Sequence, residues 1–208
     1  MLKRVDIVVE HDDCWTSHIP VTAYTINLEV YPHKDYLRSR ILVDSPNKSI
    51  LNSMKEHRSV IKIIKIDKFQ NGTYVDFLNR YRGSIGGVLY DNEVLILNNV
   101  IKDRKEKWSF VTSSKNLKEI ISKIESLGKI EKVEITDFNP VLFPNLTEWE
   151  KKVLMVAYSY GYLDYPRKAS ADELAELLGI SKVTFLYHLR NAQRKLITYS
   201  LKNIITNL

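Results

Sequence analysis

The feature that most constrains the fold is the spacing of capping and turn residues near the C-terminus. Ser170 and Glu173 form a capping-box pattern at the start of a helical segment over residues 171–178. Gly179 permits the left-handed backbone of a tight turn, and Ser181 is placed to cap the helix that follows. This spacing predicts two short helices that cross at a steep angle, as in a helix-turn-helix.

The second helix of this motif, which begins after Ser181 and extends to about residue 197, has two distinct faces. Its apolar face is predicted to contain Phe185, Leu189, Ala192 and Leu196. The opposite face carries long cations, a tyrosine and apolar tips, which suit the major groove of duplex DNA. The residues predicted to contact DNA are Arg167, Lys168, Ser181, Lys182, Val183, Thr184, Leu186, Tyr187, Arg190, Asn191 and Arg194.

The charge distribution supports a polyanionic partner for this segment. The chain has a net charge of +6, which alone is compatible with many functions. Glu176 is the last acidic residue, and only basic residues among the charged types follow it: Lys182, Arg190, Arg194, Lys195 and Lys202. A surface without carboxylates favours contact with phosphates, although it is equally compatible with a solvated basic face.

Residues 146–196 resemble the bacterio-opsin activator type of helix-turn-helix found in archaeal transcription regulators. The most specific element is Tyr165-Pro166-Arg167, a loop that generic helix-turn-helix domains lack. Leu163 and the bulky run Phe185-Leu186-Tyr187 depart from the usual pattern. The resemblance implies a DNA-binding C-terminus attached to a variable sensor, usually acting as a dimer. It rests on Leu146-Thr147, Gly161-Tyr162, Pro166-Arg167, Glu173-Leu174-Ala175, Leu178-Gly179-Ile180-Ser181, Thr184, His188-Leu189-Arg190, Ala192 and Lys195-Leu196.

The first two-thirds of the chain has the pattern of an antiparallel sheet with helices. The first part reads strand, helix, strand, strand, and the second reads strand, strand, helix, strand. These orders predict a ferredoxin-like unit and allow two such units in one sheet, as in tandem ACT-type domains. Within the second of these ferredoxin-like units we expect a strand over residues 85–90 and a hairpin turn at Asp91-Asn92. A turn is also expected at Asn71-Gly72. The predicted class is α+β, with an all-α C-terminus.

Two prolines in five residues, Pro140 and Pro144, predict a boundary between domains. We therefore expect a sensor or dimerisation domain over residues 1–138, a linker over 139–146 and a DNA-binding domain over 147–208.

Other candidate sites are few. His11, Cys14 and His18 cluster within eight residues but match no zinc pattern, so a structural role is favoured and no metal or other cofactor is expected. The glycine-rich run at residues 83–87 is expected to form a bulge or hairpin rather than a phosphate loop. The sequence shows no catalytic arrangement, so we expect no enzyme. With one cysteine and no signal-like or membrane-spanning run, a cytoplasmic location is expected.

These patterns predict a sequence-specific transcription regulator that binds double-stranded DNA as a homodimer and is controlled by an N-terminal domain, which could take a small-molecule effector. The apolar positions Leu201, Ile204, Ile205 and Leu208 suggest that the C-terminal tail contributes to the dimer. The alternative is a protein-interaction module of the transcription machinery without direct sequence readout. A small-molecule enzyme in the N-terminal domain is the third possibility.

Overall fold

The computed structural model describes residues 1–44, 48–70, 72–139 and 144–207. Its contacts divide the chain into two compact units, Met1–Asn139 and Pro140–Leu208. The first unit is an antiparallel sheet with helices and the second is helical, which confirms the predicted α+β class. Among the helices in the described ranges, none is long and apolar enough to cross a membrane.

The first unit alternates single helices with pairs of strands. A 3₁₀ turn, Pro32–Lys34, connects its second and third strands. In chain order the elements are β1 (Leu2–His11), α1 (Trp15–His18), β2 (Ala23–Tyr31), β3 (Tyr36–Val43), α2 (Lys48–Glu56), β4 (Val60–Phe69), β5 (Gly72–Arg80), α3 (Ile85–Asp91), β6 (Leu95–Lys102), β7 (Lys105–Ser113), α4 (Leu117–Glu125) and β8 (Gly128–Asp137).

These elements form two βαββαβ repeats, β1 to β4 and β5 to β8, within one eight-stranded sheet. In a ferredoxin-like unit the first strand lies between the third and the fourth. Here the order is β4-β5-β3-β2-β6-β7-β1-β8, so β5 takes that place in the first half and β1 takes it in the second. The repeats have therefore exchanged their first strands. The structure confirms the predicted pair of ferredoxin-like units in one sheet. The exchange of their first strands is not predicted by the sequence.

Backbone conformation at the crossover loops supports this internal repeat. Asp13 and Gly83, 70 positions apart, both have positive φ, at 56° and 74°. Each is followed by the N-cap of a helix, Cys14 for α1 and Ser84 for α3, and both caps have φ −105° and ψ 145°. The same local geometry thus connects each exchanged strand to the helix that follows it.

Each half of the sheet has its own hydrophobic core. In the first half, Trp15 of α1 packs edge-on against Phe77 of β5, with ring centroids 5.8 Å apart. In the second half, the fully buried side chains of β1 lie against β7 and α4. Each such side chain stabilises the fold by about 1.5–3 kcal/mol relative to exposure. The central residues of this second core are Val5, Ile7, Val9, Phe110, Ile120 and Ile124.

The predicted strand over residues 85–90 is wrong, because this segment is the helix α3. Ser84 caps it by accepting a hydrogen bond from the Gly87 N–H at 2.9 Å. Asn92 closes its end by donating to the Val88 carbonyl, so Asp91-Asn92 is not a hairpin turn. A short apolar run does not distinguish a buried strand from a buried helix. The bulge or hairpin expected at residues 83–87 is likewise the start of this helix.

The boundaries of β4 and β5, Phe69 and Gly72, flank the predicted Asn71-Gly72 turn, but Asn71 lies outside the described residues.

The second unit contains α5 (Glu148–Ser159), α6 (Ala171–Leu177) and α7 (Lys182–Asn207). Capping boxes begin α5 and α6, with Thr147 and Ser170 as the caps, and each satisfies helix N–H groups that would otherwise lack partners. Gly179 has φ 66°, as the tight turn between α6 and α7 requires. One cluster joins the three helices, and its buried members include Val153, Ala157, Tyr162, Leu174, Phe185 and Leu189.

Candidate nucleic-acid interface

The start of α7 is fixed by the turn that precedes it. Ser181 Oγ accepts a hydrogen bond from the Thr184 N–H at 3.1 Å, and it lies 2.8 Å from the Thr184 hydroxyl oxygen. Ile180, in the turn between α6 and α7, packs against the core of the unit. The first turn of α7 is therefore a capped, exposed helix N-terminus, which is a favourable place for a phosphate.

The faces of α7 follow the predicted periodicity. Phe185, Leu189 and Ala192 are buried in the core. On the outer side, Val183 is 77% exposed and Tyr187 is 63% exposed. The outer side also presents the exposed cations Arg190 and Arg194, with the half-buried Asn191 beside them. Residues 183, 187, 190 and 194 follow helical spacing and form one continuous stripe.

The cations of this surface differ in their partners. Within the described ranges, Arg190 and Arg194 form no salt bridge. Lys182 is paired with Asp172 of α6 at 2.7 Å, and Lys168 is paired with Asp164 at 2.8 Å. The two arginines are therefore free to meet an external anion, whereas both lysines must first leave an intramolecular partner.

The loop before α6 is held against the core through aromatic contacts. The Arg167 guanidinium lies 4.5 Å from the centre of the Tyr162 ring, and that ring packs edge-on against Phe185 at 5.7 Å. The Lys168 N–H donates to the Gly161 carbonyl at 3.1 Å, which closes the loop. Tyr165, in the middle of the loop, is fully exposed. The loop thus presents Arg167 and Tyr165 from a fixed base.

One predicted contact residue is placed differently from the expectation. The sequence predicts Leu186 on the exposed face, but its side chain is partly buried and packs against the core. Leu186 follows Phe185 in the helix and lies at the edge of the apolar face, where this face meets the exposed face of α7.

Two contacts between α5 and α7 are not evident in the sequence. Trp149 and His188 stack with ring centroids 6.2 Å apart and an interplanar angle of 19°. Lys195 Nζ lies 2.7 Å from Glu150 Oε2 and 3.0 Å from the Asn145 carbonyl, so this lysine is a structural cation. Hydrogen bonds from Lys195 and from the Thr147 backbone lower the pKa of the Glu150 carboxyl.

The predicted metal candidates separate into two groups in the first unit. His11 and Cys14 are buried beside Glu106 of β7, whereas His18 lies near His57 with ring centroids 5.1 Å apart. Glu106 was missed because it is 95 positions from His11. One sequence signal indicates its burial: Glu106, Trp108 and Phe110 occupy alternate positions of β7, so all three lie on the same, inward face of the strand.

Glu106 and His11 form a buried ion pair. His11 Nδ1 donates to Glu106 Oε1 at 3.0 Å, and His11 Nε2 donates to the Gly83 carbonyl at 2.9 Å. Burial lowers the pKa of His11, but hydrogen bonds to Cys14 and Glu106 outweigh burial and raise it to about 11. Burial raises the pKa of the Cys14 thiol, and burial would also raise that of Glu106, but His11 lowers it. This arrangement suits a protonated His11, because both of its ring nitrogens face oxygen acceptors.

The geometry of α6 and α7 defines a helix-turn-helix with an exposed cationic second helix. Comparison with known proteins agrees: residues 146–198 match a protein-family model described as an HTH DNA binding domain. These residues form a helix-turn-helix domain of the bacterio-opsin activator type.

Two curated relatives from the archaeon Haloferax volcanii are similar to part of the chain. "Putative transcriptional regulator" is 43% identical over 60 residues, which are 29% of this chain and 10% of that protein. "Transcriptional regulator NarO" is 44% identical over 52 residues, which are 25% of each chain. The chain thus spans a tenth and a quarter of the lengths of these relatives. No solved structure matches the chain.

Proposed function

We propose that this protein is a transcription regulator that binds double-stranded DNA and reads its sequence with α7 in the major groove. The observation that carries the proposal is the stripe of Val183, Tyr187, Arg190 and Arg194, exposed on a helix whose opposite face is locked into the core. No acidic residue follows Glu176, so α7 itself carries no carboxylate that would repel phosphates. The family match of residues 146–198 supports the same function.

Each class of residue on the stripe has a distinct role in this proposal. Arg190 and Arg194, which have no partners among the described residues, contact phosphates or guanine edges. Val183 and the Tyr187 ring meet apolar groups such as thymine methyls. Ser181 and Thr184 lie at the helix N-terminus, where N–H groups and hydroxyls hold a phosphate.

The remaining predicted contacts are secondary. Arg167 and Lys168 extend from the loop toward the DNA backbone, and Asn191 flanks the stripe. Lys182 joins the interface when it leaves Asp172. Leu186 contributes only the part of its side chain that the core leaves exposed.

The acting species is proposed to be a homodimer. α7 continues to Asn207, well beyond Ala192, its last buried residue in the described part, and Ile197 and Leu201 are exposed on this extension. Exposed apolar residues on a helical extension are suited to pairing with a second copy. In a dimer, the distance between the two recognition helices selects operators with matching half-site spacing. Sedimentation of a monomer at micromolar concentration would contradict this arrangement.

The first unit is proposed as the regulatory domain, with a small molecule as a possible class of effector. An event in that unit would shift the dimer between two spacings of its recognition helices. The proposed location is the cytoplasm, where a regulator of this kind meets the chromosome.

The experiment that tests the proposal is selection of bound sequences from a pool of random duplexes by the purified full-length chain. We expect one enriched motif, with two half-sites if the dimer binds. Affinity for this motif should fall steeply as salt rises, and it should exceed affinity for a scrambled duplex by about a thousandfold or more. Recovery of no motif would contradict sequence readout.

A second candidate function is a protein-interaction module of the transcription machinery. It is favoured by exposed apolar side chains on α5, notably Met155 and Tyr158, which resemble those of a protein interface more than those of a DNA contact. In that case the basic face of α7 would bind an acidic protein surface. Weak duplex binding without sequence preference, together with tight binding to an acidic protein, would support this alternative.

A further inference from the structure

Three potential metal ligands converge in the first unit. His11, Cys14 and Glu106 each offer one donor atom, and these three atoms all lie within 4.8 Å of one another. Their side chains are buried, with exposures of 4%, 8% and 5%. The residues come from the end of β1, the N-cap of α1 and β7, so the exchanged strand and its new neighbour supply the cluster together.

Hydrogen bonds to groups outside the cluster fix the orientation of the His11 ring and of the Glu106 carboxylate. His11 Nε2 donates to the Gly83 carbonyl at 2.9 Å, which leaves Nδ1 directed at Glu106. Glu106 Oε2 accepts from the Trp108 indole N–H at 2.7 Å, and Oε1 accepts from the Thr16 hydroxyl at 2.8 Å. Metal-binding histidines and carboxylates are oriented by outer hydrogen bonds of this kind.

We propose that His11 Nδ1, Cys14 Sγ and Glu106 Oε1 bind one divalent transition-metal ion, for which Zn²⁺ is the best match. Nitrogen, thiolate sulfur and carboxylate oxygen together are the donor set that Zn²⁺ takes in proteins. A tetrahedral Zn²⁺ with bonds of about 2.0–2.3 Å holds its donor atoms about 3.3–3.6 Å apart, so the 3.0 Å between His11 Nδ1 and Glu106 Oε1 must lengthen slightly when the ion enters. On binding, the ion replaces the proton on Nδ1 and the proton of the thiol, and both protons leave to solvent.

The surroundings provide a fourth position and a route to the surface. His11, Cys14 and Glu106 line a cavity of about 50 Å³, which is large enough for a water molecule or another small ligand on the metal. A second pocket of about 240 Å³ is lined by His11 and Cys14 together with the exposed residues Asp13, Arg58 and Arg82. Three protein ligands and one exchangeable position describe an open zinc site rather than a closed structural one.

Cobalt is the sharpest probe, because Co²⁺ occupies zinc sites and its absorption reports a thiolate ligand. The sequence contains one cysteine, so a thiolate-to-cobalt charge-transfer band in the full-length protein can come only from Cys14. We expect this band, with visible bands of tetrahedral intensity, to saturate at one Co²⁺ per chain and to disappear when Zn²⁺ is added. Absence of the charge-transfer band in the folded wild-type protein would overturn the proposal, whatever the variants do.

Variants assign the remaining ligands. His11→Ala and Glu106→Gln should weaken Co²⁺ binding strongly, and Cys14→Ser should remove the charge-transfer band. Thr16→Val, which removes only the outer hydroxyl, should weaken binding about tenfold. His18→Ala is the matched control, since it removes a nearby histidine outside the cluster. Equal loss of affinity in His18→Ala and His11→Ala would contradict the assignment. None of these measurements requires DNA, so their outcome is independent of the proposed function.

Discussion

Lys195 Nζ lies 2.7 Å from Glu150 Oε2, so the middle of α7 is tied to the first turn of α5. Glu150 is 4% exposed, and its carboxylate also accepts from the Thr147 N–H at 2.8 Å, within the capping box. Lys195 is one of the five basic residues that follow Glu176, yet its charge is paired with Glu150 within the domain. The basic stripe available to DNA is consequently smaller than the sequence suggests.

Replacing this lysine should loosen the second unit. Lys195→Ala leaves a buried carboxylate with one fewer partner, and we expect a loss of about 1–2 kcal/mol. Hydrogen exchange, measured by mass spectrometry on peptides of α5 in the full-length chain, should detect the increased opening. Lys151→Ala is the control, because it removes an exposed pair with Glu148 and should change stability by less than about 0.5 kcal/mol.

The same contact predicts a pH dependence. The pKa of Glu150 is lowered in the folded state, so its contribution is complete above the unfolded value of about 4.3 and is lost as pH falls through the folded pKa. Glu150→Gln should therefore be less stable than the wild type at neutral pH, and the difference should shrink in acid. A stability difference that stays constant down to the acid limit would show that the charge of Glu150 contributes nothing.

Two aromatic residues of α7 that lie two positions apart should separate folding from binding. Phe185 is fully buried, so Phe185→Ala should cost about 3–5 kcal/mol and unfold the helix-turn-helix. Tyr187 is exposed, so Tyr187→Ala should keep the fold and lower DNA affinity. Circular dichroism and fluorescence anisotropy on a selected duplex measure the two effects. If Tyr187→Ala destabilised the protein as much as Phe185→Ala, the faces of α7 would be misassigned.

The strand exchange predicts which neighbouring strands a core substitution destabilises. Ile7→Ala in β1 should cost about 2–5 kcal/mol and increase hydrogen exchange first in β7 and β8, because β1 lies between them. Val75→Ala in β5 should instead loosen β3 and β4. Without the exchange, β1 would lie between β3 and β4, and the two variants would show the opposite pattern.

The helix-turn-helix could be predicted because its signals are local. Ser170 with Glu173, Gly179 and Ser181 each act within four residues, and the structure places all of them as expected. The periodicity of α7 separated Phe185 from Tyr187 in the same way.

The strand exchange and the His11 cluster depend instead on contacts between distant segments. β1 and β5 have similar local patterns, so no local signal states which half each one joins. Glu106 meets His11 only because β1 pairs with β7. The Lys195–Glu150 contact spans 45 positions and is hidden for the same reason.

The most direct test of the central claim is the affinity of the full-length protein for its selected duplex after Arg190→Ala. Arg190 is exposed and has no partner among the described residues, so the variant should fold normally and bind about tenfold or more weakly, with a shallower salt dependence. Lys151→Ala, which removes the same charge from α5, should change affinity far less. Equal affinity of the wild type and Arg190→Ala would contradict recognition through this face of α7.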